Sequence, residues 1–204
     1  MAKTSEAAAN VPVQAQVDHH VREIVLAAMF AALTLLATSI LKIQTPTFGY
    51  IHIGDAFVLM SGIFLGPFYG GLAAGIGSGL SDLLGGYAMW VPGTFAIKFL
   101  TAMVAAFICR AFISKDTNKR PTTPAVVVSG IVGEGVMVIG YFFYNILMVA
   151  MSTAGFTKAG LASAATASLA EIPFNLVQGA VGIVLAVLLI PVLWKAVWGF
   201  TKGN

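Results

Sequence analysis

The segment Gly49–Phe99, GYIHIGDAFVLMSGIFLGPFYGGLAAGIGSGLSDLLGGYAMWVPGTFAIKF, decides how this chain folds. It is as apolar as a membrane segment, yet it holds Asp55, Asp82 and Lys98 and is crowded with glycines and aromatics. An ionisable side chain at bilayer depth costs several kcal/mol unless it is paired or faces water. Three such groups in one apolar run predict a polar pocket built inside a membrane protein.

The whole chain agrees. Of its 204 residues 58% are hydrophobic and only 9% charged, with a mean hydropathy of +0.91. A soluble domain carries about 25% charged residues, so this surface must face lipid. The expected fold class is an all-α integral membrane protein, one compact bundle of six transmembrane helices. Cys109 is the only cysteine, which excludes an internal disulfide and a cysteine-based metal site. The net charge of +3 is small and spread along the chain, so no basic face exists for nucleic acid.

Residues 1–20 read as a disordered tail, polar and without the apolar core of a secretory signal; residues 21–204 read as the six-helix membrane domain. His19 and His20 read as a solvated pair. The expected helices run over 21–43, 54–66, 69–84, 92–113, 125–152 and 161–198, the last broken near Pro173 or Pro191. Pro67 and the Gly70-Gly71 pair predict a tight turn. Arg110, Lys115, Lys119 and Arg120 cluster about the loop between the fourth and fifth helices, while Lys3, Arg22, Lys195 and Lys202 flank the two ends. Basic residues mark the cytoplasmic side, so both termini are expected there. The connections at 42–52, 85–92 and 152–160 then lie outside.

Each polar group has a structural and a functional reading. Asp55 opens helix two, where it either caps the helix or meets a ligand. Tyr50 and His52 precede it, where an outer loop would fold over a pocket. Asp82 and Lys98 either neutralise each other or share the pocket wall. Tyr87 and Trp90 are belt aromatics or stack on a flat ring. Tyr141, Tyr144 and Asn145 share a face of helix five, with Glu134 deeper and read as a packing residue. Glu171, Asn175 and Gln178 stand at four- and three-residue spacing, a polar stripe that faces a cavity rather than lipid. Gly71, Gly75 and Gly79 share a face of helix three and predict close helix packing. Ala27, Ala28, Ala31 and Ala32 pair at spacing four on helix one, which fits either bundle packing or the approach of another helix. No phosphate loop ending in Lys-Ser/Thr, no HExxH and no local nucleophile–base pair is present, and no cofactor is expected. From the residues alone two classes stay open: a substrate-binding transport subunit, and an intramembrane enzyme or membrane assembly factor using the same buried acids.

The run from Tyr50 to Lys98, together with EIPFNLVQG on helix six, resembles the S components of energy-coupling factor (ECF) vitamin transporters, in the branch related to the riboflavin type that also carries pyridoxine and the hydroxymethylpyrimidine precursor of thiamine. The resemblance covers Arg22 to Trp198. It implies a vitamin-binding membrane subunit of an ABC-type importer, multi-pass in a prokaryotic cell membrane, with no ATPase of its own. Its implied partners are the vitamin, a transmembrane coupling subunit, two ATPase subunits and the bilayer. It implies docking on the coupling subunit through Ala27, Ala28, Ala31 and Ala32. It also implies a pocket near the outer surface under the loop between helices one and two, with Tyr50 and His52 on the lid and Asp82, Tyr87, Lys98, Tyr141, Tyr144, Glu171 and Asn175 around the ligand. Pyridoxine or hydroxymethylpyrimidine is the favoured cargo and riboflavin the next. Delivery would follow toppling of the loaded subunit in the membrane.

Overall fold

The computed structural model of the chain describes residues 13–45, 50–112 and 120–199. Six α-helices and one two-stranded hairpin make up the described residues. Helix α1 (Val13–Ile40) starts ahead of the expected Val21, and residues 1–12 of the expected tail lie outside the described residues. Strand β1 (Ile43–Gln44) pairs antiparallel with β2 (Tyr50–Ile51), in the register Ile43 to Ile51 and Gln44 to Tyr50. Helices α2 (Asp55–Leu65), α3 (Pro67–Leu84) and α4 (Val91–Phe112) follow. Helix α5 (Thr123–Val149) runs into a π-helical turn at Ala150–Ala154, which ends on Gly155 at φ +69°. Helix α6 (Lys158–Gly199) is continuous through Pro173 and Pro191, so the expected break is absent. A proline frees one carbonyl, and in a membrane bundle neighbouring groups and small local adjustments absorb that. Most of the charged loop expected after helix four lies outside the described residues.

Helix α2 is the middle of the molecule. It touches α1, α3, α4 and α6, and Ala56, Val58, Leu59, Met60 and Ser61 along it have no exposed surface. At 11 residues it is roughly 16 Å long, too short to cross a hydrocarbon core of ~30 Å. It does not need to, because its neighbours cover it. Among the described residues four helical stretches are long and apolar enough to cross: His20–Ile40, Val91–Phe112, Thr123–Thr153 and Lys158–Val197. Their outward faces carry bare Leu, Ile, Val and Phe side chains such as Ile24, Leu36, Phe107, Ile139, Phe143, Leu176 and Leu188. Apolar surface on that scale is a lipid-facing belt.

The turn between α2 and α3 differs from the expected one. Gly66 makes it, at φ +83°, and Pro67 opens α3 at its first turn, where a missing N–H is harmless. Gly70 and Gly71 lie inside α3 and do another job. Gly70 sits on the backbone of Ser61 and Gly62, and Ser61 Oγ donates to the Gly70 carbonyl at 2.9 Å. The expected glycine face is real: Gly71, Gly75 and Gly79 lie against Phe99, Phe95 and Val91 of the antiparallel α4. Gly77, on another side of α3, meets the Ala31 carbonyl and Thr34 of α1. Glycine in a helix costs about 1 kcal/mol relative to alanine, and the close approach of three backbones offsets that in a membrane.

The two ends of the bundle differ. At one, Phe30, Phe64 and Trp194 stack in series, 5.5 and 5.2 Å between centroids, and Arg22 Nη2 donates to the Val197 carbonyl at 3.2 Å. Gly66 packs there against the Arg110 guanidinium. At the other end lie the hairpin and the α3–α4 connection.

Gly62 and Gly135 give a matched test of this packing. A methyl group at Gly62 would overlap the Ala102 carbonyl, whereas one at Gly135 meets nothing within 4 Å. Gly62→Ala is expected to destabilise by about 1–3 kcal/mol and Gly135→Ala to be neutral or stabilising by up to ~1 kcal/mol. Thermal melts of the purified variants in one detergent check the contrast.

Candidate functional site

Beneath the hairpin lies a partly enclosed cavity of about 60 Å³ that draws on every helix except α2. Its wall begins with the aromatics that the chain brings together from two connections. The rings of Tyr50 and Tyr87 stand 5.1 Å apart, and those of Tyr50 and His52 5.6 Å apart. Trp90 lines the cavity and packs edge-on against Tyr144 at 5.6 Å. Tyr141, Thr94 and Thr38 complete one side; Asp82, Asn145, Glu171, Asn175 and Gln178 supply the polar groups.

Two latches hold the hairpin down. Tyr50 donates its hydroxyl hydrogen to Asp82 Oδ1 on α3. The His52 backbone N–H donates to Gln178 Oε1 on α6 at 3.0 Å. Lys42, at the foot of β1, donates to the Ser81 carbonyl at 3.2 Å and sits 4.4 Å from the Tyr50 ring centroid, a cation–π contact. Burial lowers the Lys42 ammonium from its ordinary value, and Asp82 partly opposes that. Burial first, then Asp82, raises the Tyr50 phenol far above its ordinary value, so it remains a donor. Burial lowers His52 to about 3, against the pull of Asp55 and helped by Lys98 and Lys42. The imidazole is therefore neutral. The Gly54 N–H donates to its Nδ1 at 3.0 Å, which places the ring proton on Nε2.

Under the cavity floor, Lys98 donates to Asp55 Oδ1, and both side chains are fully buried. Gln178 Nε2 donates to the other Asp55 oxygen at 2.7 Å. Gln178 thus joins the buried ion pair to His52 and the hairpin. Gly182 makes room for Asp55, and Gly179 lets α6 close on Glu134 of α5, which lies in the field of Asp55 and Lys98.

The sequence-derived residues divide accordingly. Tyr50, His52, Asp82, Tyr87, Tyr141, Glu171 and Asn175 come together on the wall. Lys98 and Tyr144 do not. Lys98 is drawn beneath the floor by Asp55, with its Nζ 5.3 Å from the Tyr141 ring centroid. Tyr144 is turned to the Met89 carbonyl, to which it donates at 2.7 Å, and it props Trp90 from behind. Of the two readings of Asp82 and Lys98, mutual pairing or a shared wall, neither holds for Lys98, which pairs with Asp55 instead. Asp55 is the first residue of α2, after the N-cap Gly54, and its carboxylate accepts from Lys98 and Gln178. His20 is exposed and stands 3.6 Å from Glu23. Thr38 and Thr94 escaped the sequence reading. Their signal is spacing: Thr34 and Thr38 on α1, and Thr94, Lys98 and Thr101 on α4, are polar stripes at helical intervals.

Against known proteins, residues 18–195 match the family of ECF-type riboflavin transporter S components. The chain belongs to this family. Its fold is similar to the solved structure of the S component of a bacterial ECF transporter, with a TM-score of 0.56 and 20% identity, covering 90% of this chain and 99% of that one. It is also 32% identical over 107 residues to an uncharacterized protein in the gap 3′ region of Pyrococcus woesei. That alignment takes in 52% of this S component and 66% of its relative's length. S components are substrate-binding transporter subunits, and the apolar helices here are those of a multi-pass membrane protein.

Breaking the buried pair from one side is expected to be costly. Lys98→Met leaves Asp55 without its cation and is predicted to destabilise by about 3–5 kcal/mol. Asp55→Asn combined with Lys98→Met should recover part of that loss. Melting temperatures of the single and double variants in detergent report the difference.

Proposed function

We propose that this S component captures a small heterocyclic vitamin or vitamin precursor in the cavity under the hairpin and releases it to the cytoplasm. The observation that carries the reading is the pairing of clustered aromatics with buried polar atoms that have no hydrogen-bond partner among the described residues, in one partly enclosed space. A binding site of this kind is mostly apolar with a few placed polar groups. We favour one substituted ring, such as pyridoxine or hydroxymethylpyrimidine, over the three fused rings of riboflavin. Tyr50, His52 and Tyr87 would cover the ring, and Asp82, Tyr141, Glu171 and Asn175 would bind its rim. Lys98 acts beneath, by fixing Asp55.

The rest of the transport cycle is proposed by analogy with the family. Arg22 and Arg110 mark the end of the bundle away from the cavity, and basic residues favour the cytoplasmic side. We place both termini and residues 1–20 in the cytoplasm, the six-helix membrane domain after them, and the cavity toward the outside of a prokaryotic cell membrane. Energy would come from a transmembrane coupling subunit and two ATPase subunits, with the loaded S component toppling to present its cargo inside. An apolar groove between α1 and α3 supports a docking role for the alanines. Ala28 and Ala32 are exposed on it, whereas Ala27 and Ala31 are half-buried toward α3.

Trp90 on the cavity wall provides the readout. Titrating the purified chain with a vitamin panel is expected to change tryptophan fluorescence and raise the melting temperature for a single-ring compound, with no chemical turnover. A panel that moves neither signal would defeat the reading. In cells supplied with the coupling module, Ala28→Trp and Ala32→Trp are expected to abolish uptake while leaving ligand binding intact; equal loss of both would assign these alanines to packing instead.

A further inference from the structure

The cavity has a chemical sign. Asp82 Oδ2, Glu171 Oε1, both polar atoms of the Asn145 amide and Thr38 Oγ1 are buried on its wall with no hydrogen-bond partner among the described residues. Each of these side chains is more than nine-tenths buried: Asp82 is 3% exposed, Glu171 7%, Asn145 4% and Thr38 1%. Carboxylate oxygens only accept hydrogen bonds, and a buried acceptor left without a donor is costly. No lysine or arginine lines the cavity among the described residues. Lys98 is spent on Asp55 below the floor, and Lys42 on the Ser81 carbonyl and the Tyr50 ring. His52 takes the Gly54 N–H on Nδ1, so it adds a neutral N–H and no charge. Two acids from different helices, α3 and α6, therefore face the ligand space without a basic side chain between them.

We propose that the cavity selects flat nitrogen heterocycles carrying an amine or cationic donor group, and excludes their phosphorylated or carboxylated forms. The inference rests on the reading of the cavity as a ring-binding site. The donor group would meet Glu171 Oε1 and Asp82 Oδ2. The Asn145 amide, which both donates and accepts, would read a ring nitrogen or a hydroxyl. A phosphate brought into the same space would confront two carboxylates with no cation on the cavity wall to compensate. Neutral hydroxylated rings fit but leave one acid poorly satisfied.

The test is binding to the full-length chain purified in detergent, using probes that differ in one substituent: pyridoxine, pyridoxamine and pyridoxamine phosphate, then the hydroxymethyl aminopyrimidine and its phosphate ester, with riboflavin as a control. Pyridoxamine is expected to bind at least ~10-fold more tightly than pyridoxine, a difference within the range of one charge-assisted hydrogen bond. Each phosphate ester is expected to bind at least ~100-fold more weakly than its free form. Glu171→Gln should bring the pyridoxamine-to-pyridoxine ratio close to one, in an empty protein that melts no lower than the parent. Phosphate esters that bind as well as the free rings, a pyridoxine affinity equal to that of pyridoxamine, or a ratio unmoved by Glu171→Gln would each overturn the selectivity and leave the ring-binding site standing. If neither ring series nor riboflavin binds, the site itself falls and the selectivity with it.

Discussion

A lysine and an aspartate with no exposed surface, in the middle of a membrane bundle, set the terms for everything around them. Lys98 and Asp55 neutralise each other, which offsets part of the cost either would carry alone in an apolar medium. The pair also consumes both Asp55 oxygens, one on Lys98 and one on Gln178. Three helices, α2, α4 and α6, are thereby fixed at one point. The short central helix has its first residue held there, and the chain entering it from the hairpin is held one step further by Gln178 on the His52 backbone.

That arrangement separates two jobs that the sequence leaves mixed. The cation that could have balanced an acid on the ligand wall is kept under the floor. Asp82 is left with Tyr50, a neutral phenol, as its partner on one oxygen. The hairpin is thus latched to α3 by a group that also belongs to the wall, and to α6 by a group that belongs to the ion-pair network. The Tyr50 latch and the cavity wall therefore share Asp82.

Much of the fold is legible in the sequence because hydropathy over long runs is a strong signal. The spans of α1, α4, α5 and α6 follow it closely. The glycine face Gly71, Gly75 and Gly79 also reads correctly, since periodicity of four has one geometric meaning on a helix. The turn after α2 was misplaced for a related reason: Gly70 and Gly71 carry turn chemistry in water and packing chemistry in a membrane, and only their contact with Gly62 and Phe99 separates the two. The break expected in α6 failed because local proline rules omit the support of neighbouring helices. The charge pairing was not legible at all. Lys98 is nearer in sequence to Asp82 than to Asp55, and the choice between them depends on α2 lying at the centre. The aromatic wall was visible as residue types, but which tyrosine lines it and which one props it depends on the Met89 carbonyl that captures Tyr144.

The burial of α2 also has a consequence for biogenesis. The ribosome delivers the helices in order, so Asp55 emerges well before Lys98 and long before Gln178. Until α4 follows, α2 is a short helix headed by an uncompensated carboxylate, and a charge of that kind at bilayer depth opposes insertion by about 2.5–3.5 kcal/mol or more. That cost favours joint entry of the segment from α2 to α4 over entry helix by helix. The α3 glycines, which bring α2 and α4 against a common partner, serve that joint entry as much as they serve the finished bundle.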